Sequence, residues 1–147
     1  SRIIVQFPSA SFCDPTNTSA YAIFQGLEIH GQRYGREPEV KLEIVIPSEY
    51  PSSPPFVYVV YPRFAFHTGH VTVGGSICTE MLTSEGWDVN MTLESLTLAL
   101  WTNFIEGKAQ VMNDPDMHHP VPHAEYTEAE ARSAYTRVLE YHRKNGW

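Results

Sequence analysis

The chain has 147 residues, a formal net charge of −7 and a pI near 5.4, a size that suits one domain around a single hydrophobic core. There is no basic stripe, which argues against a nucleic-acid partner. There is also no apolar run long enough to cross a bilayer and no visible secretory leader, which argues against a membrane role. Cys13 and Cys78 lie far apart in an otherwise ordinary composition, so a reducing compartment, cytoplasm or nucleus, is expected, although the two thiols could in principle pair.

Taken in order, Arg2 to Phe7 is rich in β-branched residues, ends at Pro8 and predicts a strand. Ser9 to Ser19 carries serine, threonine, proline and asparagine and predicts a loop. Tyr21 to Ile29 is apolar with β-formers and predicts a second strand, closed by His30-Gly31. Val40, Leu42, Ile44 and Ile46 alternate with Glu39, Lys41, Glu43 and Val45, the period of a half-buried strand. Phe56 to Tyr61 predicts a fourth strand. Four successive strands with short links imply an antiparallel meander.

From Arg63 to Asn90 no period survives, and a loop of that length inside a compact domain is usually functional. Thr92 is a good N-cap with Glu94 in the first turn, and Leu93, Leu96, Leu100 and Phe104 then recur at helical spacing up to Gly107. Met112 to Pro122 is a loop bearing proline and histidine. Thr127 and Glu130 form a capping box before a final helix with Ala131, Tyr135, Val138 and His142 on one face, ended by Asn145-Gly146. Strands followed by helices give an α+β fold, a sheet with helices packed on one side. Residues 1–147 read as a single domain. Its start at Ser1 suits a processed chain or the C-terminal part of a longer protein.

One stretch organises the chemistry: Gly74-Gly75-Ser76-Ile77-Cys78-Thr79-Glu80-Met81-Leu82, then Thr83-Ser84-Glu85-Gly86-Trp87. Two glycines let the backbone turn and lie close to a neighbour, and apolar anchors on both sides pin a loop around one thiol. By composition alone Cys78 could equally be a buried core thiol. The stretch resembles the active-site segment of ubiquitin-conjugating enzymes, and is most similar to their divergent Q-type branch. Three further motifs follow the same pattern in the same order: Tyr50-Pro51-Ser52-Ser53-Pro54-Pro55, Gly107-Lys108-Ala109, and His142-Arg143-Lys144-Asn145-Gly146-Trp147. The resemblance runs from about Pro38 to Trp147. It implies the ubiquitin-conjugating fold, here without the basic amphipathic helix that usually opens it.

What the resemblance implies for function is acyl transfer. Cys78 would take the C-terminus of ubiquitin from the activating enzyme as a thioester and yield it to a lysine, or to a serine or threonine, of a protein substrate, or to a ligase. No cofactor is implied, since ATP is used by the activating enzyme. The expected partners are ubiquitin, the activating enzyme, a ubiquitin ligase and a substrate. Most members place an asparagine eight residues before the cysteine; here that position is His70, whose imidazole N–H could serve the oxyanion or which could be a plain loop histidine. Asp114, Asp116 or Asp88 could be the acid that gates the incoming amine, or each could merely cap a turn. His142 and Trp147 are expected near the Cys78 loop, with His142 as a base for hydroxyl acceptors or as a partner of its own helix end. Trp87 is expected as a core anchor more than as a ligase contact, while Ser52 and Asp88-Val89-Asn90 make the ligase-facing positions less apolar than usual. His118, His119 and His123 match no zinc pattern. Two other readings compete: a catalytically inactive ubiquitin-conjugating-like binding module, and a thiol hydrolase using Cys78 with His70 or His142.

Overall fold

A computed structural model describes residues 1–146 of the chain. Where the sequence predicts a second strand, the chain instead forms helix α1 (Thr18–Tyr34). The Asn17 side chain accepts a hydrogen bond from the Ala20 amide at 3.1 Å, capping the first turn, and Gly35 ends the helix in the left-handed region at φ 66°. Ala20, Ile23, Leu27 and His30 are its buried residues, spaced as one helical stripe rather than as every second residue. The β-branched and aromatic content of Tyr21–Ile29 is a weaker constraint than that stripe and its cap.

The sheet therefore has three strands, β1 (Arg2–Pro8), β2 (Glu39–Val45) and β3 (Phe56–Tyr61), all antiparallel in the order β1-β2-β3. The expected count of four is corrected by the helix just described. Ile3 pairs with Ile44, and Leu42 with Val59. Val40, Leu42, Ile44, Val57 and Val59 bury one face of the sheet, while Glu39 and Glu43 on the other accept hydrogen bonds from the Tyr61 and Tyr58 hydroxyls at 2.8 and 2.6 Å. The free edge of β3 is taken by the loop that carries the thiol. The Val59 amide donates to Gly75 O at 2.8 Å and the Ile77 amide to Val57 O at 2.9 Å, so irregular backbone completes what a fourth strand would otherwise supply.

Helix α2 (Leu93–Glu106) is capped by Thr92 as the sequence predicts. Leu96, Leu100 and Phe104 enter the core with Ile23 and Leu27 of α1, whereas Leu93 stays 41% exposed. Each such Leu or Phe stabilises the fold by about 1.5–3 kcal/mol on burial. Helix α3 (Glu128–Asn145) opens on the expected capping box of Thr127 and Glu130. It lies against the thiol-bearing loop outside β3, with Ala131 and Ala134 as its buried residues. Its first turns also reach the charged sheet face, through Arg2–Glu128 at 2.6 Å and Arg132 stacked over the Phe56 ring.

Candidate functional site

The site is built on a tight reversal. The Gly75 amide donates to Thr72 O, the Thr72 amide to Ser76 O, and the Thr72 and Ser76 hydroxyls meet at 2.7 Å. Val71 and Ile77 form an antiparallel bridge, and the Cys78 amide then donates to His70 O at 2.8 Å. Both glycines are required by close approach. A Cβ at Gly74 would overlap the Glu130 carbonyl and the Ala134 side chain of α3, and one at Gly75, which sits at φ 98°, would overlap the Tyr126 ring. After Cys78 a short 3-10 turn (Glu80–Leu82) leads to Thr83, whose hydroxyl donates to Glu80 O at 2.7 Å.

The thiol is less accessible than a presented loop cysteine would be. Cys78 is 9% exposed, and burial pushes its thiol up to about 11. Ile77, Leu82 and Trp87 are all members of the core, so the anchors that pin the loop also draw the sulfur inward. A cleft of about 340 Å³ lies between α3 and the loop, lined by Ile77 next in sequence to the thiol and by Leu82, Tyr135, Arg143, Pro55 and Phe56, while Cys78 itself is not among its lining residues. Tyr135 spans this cleft. Its ring meets Phe56 edge-on and its hydroxyl donates to Leu82 O at 3.4 Å. Burial, and then the nearby Cys78, raise its phenol above the ordinary value.

The residues expected around the sulfur divide. His70 is adjacent through its backbone, and its ring rests against Gly107. Since its carbonyl accepts the Cys78 N–H, that amide is not free to bind an oxyanion. Asp114 is turned toward α1. Its side chain is 87% exposed and pairs with Arg33 at 2.9 Å. Asp116 accepts the amides of His118 and His119 at 2.8 and 2.7 Å, bonds that hold its carboxyl below the usual range, so in the structure it is a turn-forming acid. Asp88 likewise accepts the Asn90 amide at 2.9 Å. Trp87 is buried, with its indole N–H donated to Pro51 O at 2.7 Å, which ties the thiol loop to the Tyr50–Pro55 segment. His142 is half-buried on α3, and its Nδ1 lies 2.9 Å from Gly146 O at the end of the same helix. Trp147 lies outside the described residues. Among the described residues no group of three or more His, Cys, Asp or Glu is placed to hold a metal ion.

Sequence reasoning missed Tyr126. Its ring lies under Gly75, its hydroxyl accepts the Phe64 amide at 2.9 Å, and Arg63 stacks on it at 4.5 Å. The only signal for it was the glycine pair itself, which announces a close neighbour without saying which.

The family model described as ubiquitin-conjugating enzyme matches residues 28–141. Ubiquitin-conjugating enzyme E2 Q1 of Homo sapiens is 30% identical over 126 residues, 86% of this chain and 28% of that protein. Ubiquitin-conjugating enzyme E2 25 of Caenorhabditis elegans is 33% identical over 99 residues, 67% of this chain and 24% of that protein. A Q-like ubiquitin-conjugating enzyme protein of Mus musculus is 28% identical over 108 residues, 74% of this chain and 63% of that protein. The chain thus spans about a quarter of the length of the first two.

Proposed function

The chain belongs to the ubiquitin-conjugating enzyme family, in its Q-type branch, and we propose that it carries ubiquitin as a thioester on Cys78. The observation that supports this most is the placement of Cys78. It sits at the end of a reversal that is clamped between α3, Tyr126 and the β3 edge, one residue after Ile77, which lines the cleft against α3. In the charging step the Cys78 sulfur attacks the carbonyl carbon of the activating enzyme's thioester. The new C–S bond forms, the old one breaks with its electron pair on the donor sulfur, and the Cys78 proton passes to that sulfur through solvent. In the transfer step an acceptor amine attacks the same carbon and loses a proton, while Cys78 leaves as the thiol and an isopeptide remains.

A buried thiol suits the carrier state. Desolvation penalises the thiolate but not a neutral thioester, so the acylated form gains relative to the free anion. A sulfur held at about 11 is also a reluctant leaving group, which keeps the thioester intact until an acceptor is oriented beside it. Ubiquitin, an activating enzyme, a ligase and a substrate are the partners this reaction requires. Because the Cys78 amide is already engaged by His70 O, oxyanion stabilisation falls to side chains, and His70 is the proposed donor.

The test is charging. With activating enzyme, ATP, magnesium and ubiquitin, the chain forms an adduct cleaved by added thiol, and Cys78→Ser converts it to a thiol-resistant ester. No adduct on either protein would favour an inactive binding module instead, and cleavage of ubiquitin conjugates would favour a thiol hydrolase.

A further inference from the structure

The segment between α2 and α3 rests on two imidazoles that acyl transfer does not use. His30 of α1 is 2% exposed and His119 of the segment is 1% exposed. The Nε2 atom of each is buried with no hydrogen-bond partner among the described residues. His30 packs edge-on to the Tyr34 ring at 5.0 Å, and Tyr34 in turn stacks on His123 of the segment at 4.7 Å. The Tyr34 hydroxyl and Arg33 both donate to Asn113 O, so this face of α1 holds the start of the segment as well. His119 packs edge-on to Tyr126, with its Nδ1 3.5 Å from Arg63 Nη1.

We propose that residues 113–126 form a proton-sensitive latch, closed while His30 and His119 are neutral and released when they take up protons. The surroundings of both rings favour the neutral form. His30 faces the cationic Arg36, itself paired with Glu125, and the titratable His123. His119 faces Arg63 and His118. Arg63 is itself spent on Ala124 O, Glu125 O and the Glu130 carboxylate. Asp116, whose carboxylate accepts the His118 and His119 amides, and the Phe64 backbone oppose the neutral form at His119, but burial and Arg63 outweigh them. Burial, before any of these charges, lowers both imidazoles below their ordinary value. The latched state therefore binds fewer protons than the open one, and its stability falls as pH drops through the open-state value of ~6.5. The latch bears on the thiol loop because Tyr126, which seats Gly75, ends the segment. It rests on packing alone and does not depend on acyl transfer.

Hydrogen exchange on the full chain tests this, comparing pH 8.0 with pH 6.0 after correction for intrinsic rates. Each imidazole raises segment opening by up to ~4-fold, hence up to ~16-fold for both, while peptides from β2 and β3 stay protected. Equal opening at both pH values, or parallel loss of protection in the sheet, overturns the proposal. His30→Gln and His119→Gln should each remove part of the pH response, and a full response in both would also overturn it. Should either variant fail to fold, direct NMR titration of the wild-type rings decides: midpoints below 6.5 for His30 and His119 support the latch, and midpoints at or above 6.5 refute it.

Discussion

Alkylation of the two cysteines provides a quantitative check on the site. Cys13 is exposed and Cys78 buried, so one chain holds both the test and its control. With its thiol pushed up to about 11, Cys78 is ~0.01% thiolate at pH 7, against ~3% for an ordinary thiol near ~8.5, a deficit of ~300-fold. The higher basicity makes each thiolate more nucleophilic, returning ~10- to 20-fold at a Brønsted slope of ~0.4–0.5. Cys78 should therefore react about 20-fold more slowly than an ordinary exposed thiol, before any steric shielding. Iodoacetamide labelling followed by peptide mass spectrometry reads both sites in one sample. The Cys78 rate should keep rising ~tenfold per pH unit through pH 10, beyond the point where an ordinary thiol levels off. A Cys78 rate matching that of Cys13 at pH 7, or levelling off near pH 8.5, would refute the claim that the sulfur is desolvated.

Other outcomes follow from the same contacts. Gly74→Ala forces a methyl into the Glu130 carbonyl and Ala134 and should cost about 1–3 kcal/mol in denaturant unfolding, with charging impaired as α3 is pushed off the loop. Trp87→Phe keeps an aromatic ring but deletes the bond to Pro51 O and should cost about 1–2 kcal/mol, read from the same unfolding curve. Asp114→Asn breaks only an exposed pair with Arg33, so the unfolding midpoint should not move; a fall in discharge onto free lysine would then mark Asp114 as the acceptor gate. If His142 is a base for hydroxyl acceptors, discharge of charged enzyme onto serine and threonine should be lost in His142→Ala while discharge onto lysine persists.

Much of this protein is determined by signals that act over a few residues. Thr92 and Thr127 cap α2 and α3 through amides three positions ahead, and the alternation in Glu39–Val45 marks β2 because side-chain direction reverses at each residue. The motif around Cys78 is local in the same sense, so the family could be read before any coordinates. The tertiary structure decided the rest. Tyr21–Ile29 has the composition of a strand, yet becomes the middle of α1 because its helical stripe of Ile23 and Leu27 meets the core that α2 and the sheet provide. The loop that carries the sulfur is seated by α3 and Tyr126, which lie some fifty residues further along the chain, and Asp114 pairs with Arg33 of α1. Caps and periodicity are properties of neighbours in sequence, whereas desolvation and charge pairing are set by whatever the fold brings alongside, and no local pattern encodes that.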